Sequence, residues 1–292
     1  MLFLLLSVLI LTLLFIGLIN KMKALFVGKQ GASVFQPYYD CFKLLKKGEV
    51  ISETSSFVFQ IAPSVNLACT IIAALLLLVL NFDGNFIVFS YVLALGKFFS
   101  VIGAMDTGSS FEGMGASREV SYTSFVEPAL FIIMGSVAAL TGHFSFASIF
   151  GLLQTNNEIV MLIAVLAIFA IFMMILIEGS RVPIDDPKTH LELTMIHEVM
   201  VLDNSGVDLA IIHYASALKM LLFSVLIALI ACPQYWWGIL LVILFIAFLI
   251  AAIESIGARI RLTHIIEYTF TMIAVALIVM ALVLLIMHGG HL

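Results

Sequence analysis

The sequence predicts an all-α fold: a polytopic integral membrane protein with eight transmembrane helices and both termini outside. The 292 residues are 63% hydrophobic and 11% charged, and the mean hydropathy is +1.22. A span needs roughly 20 mostly apolar residues. The chain holds eight such runs, near residues 1–19, 59–80, 85–104, 124–142, 159–178, 209–231, 236–254 and 265–287. We therefore expect one membrane domain over residues 1–292 that lies in the lipid bilayer and binds no nucleic acid.

The first apolar run is expected to be an uncleaved span. It is longer than a signal-peptide core, no basic residue precedes it, and no convincing small-residue cleavage site follows.

The distribution of basic residues predicts the orientation. Of the 13 lysines and arginines, all but Lys97 and Lys219 lie in the connections after the first, third, fifth and seventh runs. Cytoplasmic connections of membrane proteins carry the excess of basic residues. The connections near residues 20–58, 105–123, 179–208 and 255–264 are therefore predicted to be cytoplasmic.

A short amphipathic helix is predicted in the first of these connections. Pro37 suits the start of a helix, and Tyr38, Phe42 and Leu45 give the helix an apolar face. Lys43, Lys46 and Lys47 are placed to meet anionic headgroups. Two interpretations remain open: a basic surface helix, or a helix along the membrane that frames a cavity beneath a docked subunit.

The second basic connection, 105–123, is expected to be irregular because it contains Gly108, Gly113 and Gly115. Ser117 is then expected to cap a helix that continues into the fourth span. The glycines do not form the phosphate-binding pattern GxxxxGK[ST], and no strand precedes them, so nucleotide binding is not predicted.

Several ionisable residues fall within or at the ends of the apolar runs. For Lys97, Glu178 and Glu254 the simple interpretation is that the charge reaches the headgroups. Glu127, Lys219 and Glu267 are harder to explain in this way. An ionisable group within a span is costly unless it is paired or hydrated. We take these three residues as candidates for a proton relay.

The most charged stretch of the chain runs from Glu178 to Glu198. Pro183 and Pro187 predict an extended loop over 180–186, with Asp186 as the N-cap of a short helix that ends near Met200. His197 and Glu198 do not complete the zinc motif HExxH. Cys41, Cys69 and Cys232 are scattered, which argues against a metal or iron–sulfur site in this chain. We expect the stretch to meet a partner or a polar path, and we assign no catalytic, cofactor or metal residue.

Three segments resemble one family. The stretch Glu178-Gly-Ser-Arg-Val-Pro183-Ile-Asp-Asp-Pro187, running into His190-Leu-Glu-Leu193, is similar to the signature of the membrane-anchor subunit shared by respiratory complex I and energy-converting nickel–iron hydrogenases. Gln36-Pro37 with Asp40 and Lys43-Leu-Leu45 resembles a second motif of this family, and Gly115-Ala-Ser-Arg-Glu119 a third. Lys188 and His190 stand where complex I carries acidic residues, and the segment 189–206 resembles the formate hydrogenlyase and hydrogenase-4 branch.

The resemblance implies a subunit that anchors and couples rather than catalyses. Partner subunits are then expected to hold the nickel–iron site and the iron–sulfur clusters: the hydrogenase large and small subunits and an iron–sulfur subunit. Antiporter-like membrane subunits are the expected neighbours within the inner (cytoplasmic) membrane. The expected contact residues are Arg181, Asp185, Asp186, His190, Glu192 and His197.

Two other functions remain open from the sequence. One is a quinone-binding membrane subunit of a complex I-like NADH dehydrogenase. The other is a stand-alone transporter, which is expected to show inverted repeats with interrupted helices; no convincing repeat relates the two halves of this chain.

Overall fold

The computed structural model describes residues 2–52, 54–78, 85–155, 157–185, 195–232 and 235–289. These residues form α1 (Leu2–Phe26), α2 (Gln36–Leu45), α3 (Phe57–Leu78), α4 (Phe86–Asp106), α5 (Ser110–Thr141), α6 (Phe146–Leu153), α7 (Glu158–Glu178), α8 (His197–Met200), α9 (Gly206–Ala231), α10 (Trp236–Ile256) and α11 (Leu262–Gly289). Eight of them, α1, α3, α4, α5, α7, α9, α10 and α11, are long and apolar enough to cross a membrane. The predicted all-α fold with eight spans is confirmed.

Helix α9 lies at the centre of the bundle. In its most apolar window 83% of the residues are buried, against 22% in α10 and 28% in α11. It contacts α1, α3, α7 and α10, whereas α5 packs against α4 and α11. The large exposed residues of α10 and α11, such as Phe245 and Leu285, are apolar and suit contact with lipid tails.

The basic connections meet on one side of the bundle. The Asp106 carboxylate at the end of α4 accepts hydrogen bonds from the backbone N–H groups of Ser56 (2.7 Å) and Phe59 (3.2 Å) at the start of α3. The Ile260 N–H, between α10 and α11, donates to the Pro183 carbonyl at 2.9 Å. Arg118 also donates to the Met195 carbonyl at 3.0 Å, which links these two pairs of loops. The loops predicted to be cytoplasmic therefore form one continuous surface; which side of the membrane it faces stays a prediction.

Helix α2 forms as predicted, with Pro37 in its first turn. Phe42 and Leu45 are exposed, as an interfacial helix requires, and Cys41 and Leu44 face a cavity inside the bundle. The structure therefore favours the interpretation in which this helix frames a cavity.

The expectation of an irregular loop over 105–123 is wrong. Helix α5 begins at Ser110, so Gly113, Gly115 and Ser117 lie within it and Ser117 does not cap it. The glycine at 115 has a packing reason: a Cβ there lies 2.9 Å from the Ile196 carbonyl oxygen. Gly115 thus lets the chain before α8 approach the backbone of α5.

The predicted helix from Asp186 to about Met200 is only partly described. It does not run unbroken to Met200, because Met195 and Ile196 are not helical and α8 is a separate short helix; Asp186, Pro187 and the residues up to 194 lie outside the described residues.

We expect Gly115→Ala to destabilise the protein by about 1–3 kcal/mol, because the added methyl group meets a backbone oxygen and the two segments must separate. Gly113→Ala is the matched control in the same helix, since a Cβ there meets nothing within 4 Å. Thermal unfolding of the detergent-solubilised protein should show a lower midpoint for the first variant only. Equal midpoints for both variants would contradict the close contact.

Candidate functional site

A cluster of charged side chains lies buried between four spans. The Glu178 carboxylate, on the last residue of α7, accepts a hydrogen bond from the Lys219 ammonium of α9 at 2.7 Å and lies 3.5 Å from the Lys97 ammonium of α4. The exposed fractions of these side chains are 6%, 8% and 13%. Water is therefore nearly excluded, and each charge depends on the others for solvation.

Lys97 also forms an ion pair with Glu119 of α5, whose side chain is 5% exposed. The cluster is therefore two lysines and two carboxylates drawn from α4, α5, α7 and α9. Their formal charges cancel, which lowers the cost of holding them inside the membrane domain.

The sequence interpretation that Lys97, Glu178 and Glu254 reach the headgroups is wrong. Lys97 lies nine residues before the end of α4, which at 1.5 Å per residue is about 14 Å from that end. Its side chain pairs inward instead, with Glu119 and Glu178. Glu254 is 2% exposed at its side chain and pairs with Lys23 and Arg181.

The loop after Glu178 is fastened to the bundle by two further ion pairs. Arg181 Nη1 lies 3.2 Å from Glu254 Oε1, near the end of α10. Asp185 Oδ1 lies 3.2 Å from Arg259 Nη2. Asp185 Oδ2 accepts hydrogen bonds from the backbone N–H groups of Ile196 and His197, both at 3.1 Å. Asp185 therefore joins the start of the charged stretch to its end.

A cavity of about 340 Å³ lies beside this loop. Arg181 and Gly179 line it from the loop, Asp40 from α2, and His197 and His213 from α8 and α9. The cavity also reaches Met220, the residue after Lys219. It therefore lies beneath the surface formed by the basic loops and is lined by Gly179 and Met220, the sequence neighbours of Glu178 and Lys219.

A small cavity of about 20 Å³ lies next to the cluster. Glu127, Lys97, Glu178 and Lys219 all line it. Such a volume holds about one water molecule; the four ionisable side chains and Ser90 line it together with apolar side chains such as Leu93 and Phe223. Glu127 thus shares this cavity with three members of the cluster.

Glu127 and Lys97 also line an open groove of about 450 Å³ between α4 and α5. Tyr91, Phe98 and Val120 line the same groove and are exposed. Glu127 lies near the middle of the 32-residue helix α5, roughly 20–25 Å from either end. The groove therefore opens toward the side of the protein at membrane depth.

The structure brings together some of the residues predicted from the sequence. Arg181 and His197 line the large cavity, and Asp185 bonds to the backbone of His197. Glu127 and Lys219 line the small cavity. Glu267 lies apart at the start of α11, with its side chain 72% exposed and 3.0 Å from His264. Asp186, His190 and Glu192 lie outside the described residues.

The sequence interpretation missed the partners of Lys219. Glu178 is its direct partner, and Lys97 and Glu119 complete the cluster. One signal was available: Lys97 is too far from the end of its span to reach the headgroups. The pairing itself joins residues 41 and 81 positions apart, which no local pattern reveals.

We expect Glu178→Gln to destabilise the protein by about 3–5 kcal/mol, because two buried lysines would then share one carboxylate. Thermal unfolding in detergent measures the effect. Glu267→Gln is the control, since that side chain is largely exposed and should change the midpoint little. A Glu178→Gln protein as stable as this control would show that the cluster is not electrostatically coupled.

Comparison with known proteins adds the following similarities. A family model described as NADH dehydrogenase matches residues 1–286. Hydrogenase-4 component C of Escherichia coli is 31% identical over 234 residues, which are 77% of this chain and 72% of that protein. Formate hydrogenlyase subunit 4 of the same organism is 28% identical over 211 residues, 70% of this chain and 68% of that protein.

A solved structure has the same fold. It belongs to the membrane-bound sulfane sulfur reductase, an archaeal respiratory membrane complex, and covers 97% of both chains with a TM-score of 0.77 and 19% identity.

Proposed function

The chain belongs to the NADH dehydrogenase family, and we propose that it is the membrane-anchoring and proton-coupling subunit of a membrane-bound nickel–iron hydrogenase complex of the formate hydrogenlyase type. In this role it joins a cytoplasmic redox arm to antiporter-like, ion-translocating subunits in the inner membrane. The relatives named hydrogenase-4 component C and formate hydrogenlyase subunit 4 support the type of complex. The large and small hydrogenase subunits and an iron–sulfur subunit are its partners, and they hold the nickel–iron site and the clusters.

The observation that carries the proposal is the position of Glu178. It ends α7 within the buried cluster, and the fastened loop of residues 179–185 follows it directly. A change of charge or contact at the loop therefore acts on a carboxylate whose proton affinity depends on two lysines 2.7 and 3.5 Å away. Nearby charges and desolvation control where a proton resides in such a site.

The proton relay that we propose runs from this cluster to Glu127. The small cavity between them holds about one water molecule, and a water can carry a proton from one carboxylate to the other. Lys219 holds Glu178 in place by its hydrogen bond. Glu267 was a candidate from the sequence, and its exposed position at the start of α11 favours a separate role.

The antiporter-like neighbours are assigned to the face of α4 and α5. Glu127 lines the groove on this face at membrane depth, and Ser117, Ser121 and Ser124 are exposed along α5. Small and hydroxyl side chains are typical of contacts between membrane helices, and an ionisable group at this depth requires a partner. The exposed faces of α10 and α11 carry large apolar residues instead, which suits lipid.

The redox arm is assigned to the surface formed by the basic loops. Arg181 and His197 line the cavity beneath it, whereas Asp185 is buried and holds the loop in place through Arg259. Asp186, His190 and Glu192 belong to the same charged stretch of the sequence and complete the proposed contact.

A quinone-binding subunit is the second candidate function. The cavity of about 340 Å³ between α1, α2 and α9 favours it, because Asp40, His197 and His213 offer polar contacts to a headgroup. Inhibition of the complex by quinone-site poisons, or quinone in the purified complex, would support this function over the first.

We expect Glu127→Gln to abolish proton translocation while hydrogen evolution continues, because this residue contacts no redox centre in the proposed complex; Glu178→Gln should do the same in the fraction of the complex that remains assembled despite the destabilisation expected above. Proton uptake into inverted membrane vesicles, followed with a fluorescent dye during hydrogen evolution, measures this. Glu158→Gln, at the opposite end of α7 from Glu178, is the matched control and should translocate normally. Glu267→Gln should behave like this control; loss of translocation in Glu267→Gln would return that residue to the relay. Normal translocation in both test variants would contradict the relay.

We expect Asp185→Asn to weaken attachment of the redox arm, because it removes the charge that pairs with Arg259 and weakens the acceptor for two N–H groups. Purification through a tag on this chain, followed by iron analysis, should give at least a severalfold lower iron content. Asp208→Asn, in the first turn of α9, is the control and should retain iron. Full iron retention in Asp185→Asn would show that the loop does not hold the arm.

A further inference from the structure

A second, apolar cavity lies beneath helix α2. Its volume is about 300 Å³, the lower end of the range for small-molecule sites. Carbon surface from α1, α2, α3 and α9 forms most of it, contributed by Leu13, Phe42, Leu45, Leu67, Ala210 and Ile211. Phe42 is 61% exposed and Leu45 45% exposed, so the cavity is open at the α2 edge.

The tyrosine hydroxyls in the lining of this cavity already form hydrogen bonds within the protein. The Tyr214 hydroxyl donates to the Leu9 carbonyl of α1 at 2.8 Å, and the Tyr38 hydroxyl donates to the Ile10 carbonyl. Burial raises the pKa of the Cys41 thiol, which keeps it neutral. A ligand in this cavity therefore contacts mainly carbon atoms, and the two tyrosine hydroxyls in the lining already donate to carbonyls of α1.

The open edge of the cavity is basic. Lys43, Lys46 and Lys47 are exposed, and they are the sequence neighbours of Phe42 and Leu45. A short helix with exposed apolar residues and several lysines lies in the headgroup region of a membrane, where lysines attract anionic lipids.

We propose that this cavity binds an acyl chain of an anionic phospholipid, whose phosphate is held by Lys43, Lys46 and Lys47. The cavity matches the acyl chain because the cavity is apolar and open at the edge. The lysines match the headgroup because they are exposed and adjoin, along α2, Phe42 and Leu45 at the open edge of the cavity. A quinone headgroup needs hydrogen-bond donors for its two carbonyl oxygens, and the donors in this lining are bonded to α1. The inference goes beyond the proposed function and does not rest on it.

The test is lipid analysis of the intact complex, purified in mild detergent through a tag on this chain. Native mass spectrometry and extraction should find at least one tightly bound anionic phospholipid per complex. Replacing the three lysines together, Lys43→Gln, Lys46→Gln and Lys47→Gln, should lower the ratio of bound anionic to zwitterionic lipid severalfold. These side chains are exposed, so folding should be unaffected.

Filling the cavity tests the acyl chain separately. Ala210→Phe should remove the bound lipid altogether, and Leu67→Phe serves where the first variant does not assemble, because Leu67 is only half-buried. Ala274→Phe, on an exposed position of α11, is the matched control and should retain the lipid. An unchanged lipid content in both cavity variants overturns the proposal. Release of a quinone instead of a phospholipid also overturns it and assigns the cavity to that ligand.

Discussion

The ion pair between Glu178 and Lys219 is the contact on which the rest of the site depends. Both side chains are more than nine-tenths buried within a membrane domain, where an unpaired charge is costly. Lys97 and Glu119 extend the pair into a neutral cluster that joins α4, α5, α7 and α9. The same contact holds the end of α7 against the central helix. In this part of the bundle, the packing of the four helices and the pairing of the four charges therefore depend on each other.

Of two cavities near this cluster, the smaller is lined by three of its members and the larger by their sequence neighbours Gly179 and Met220. The larger lies beneath the surface of the basic loops and reaches Arg181 and Met220. The smaller lies toward α4 and α5 and reaches Glu127. Polar side chains therefore lie both in the loop that follows Glu178 and in the cavity that Glu178 lines. This arrangement needs no redox centre in the chain itself, and it suits a subunit that transmits a change between two partners.

The sequence predicted most of the fold because the fold is dictated by local composition. Eight apolar runs gave the spans, and Pro37 with the apolar face after it gave α2. The start of α5 was missed because glycines are typical of loops, whereas Gly115 serves close packing against Ile196. The charge cluster was missed in part because its pairs join distant positions. Lys219 and Glu127 could be identified from the sequence because an ionisable side chain within a span is costly unless it is paired or hydrated. Their partners could not be identified, because these depend on how the helices pack.

The most direct test of the central claim is redox-induced infrared difference spectroscopy of the intact complex. If reduction of the redox arm changes the protonation or environment of the buried carboxylates, the spectrum of the wild-type complex should contain a carboxyl C=O band. That band should disappear in Glu178→Gln and shift in Glu127→Gln. A carboxyl band that both substitutions leave unchanged, or a spectrum without such a band, would contradict the account.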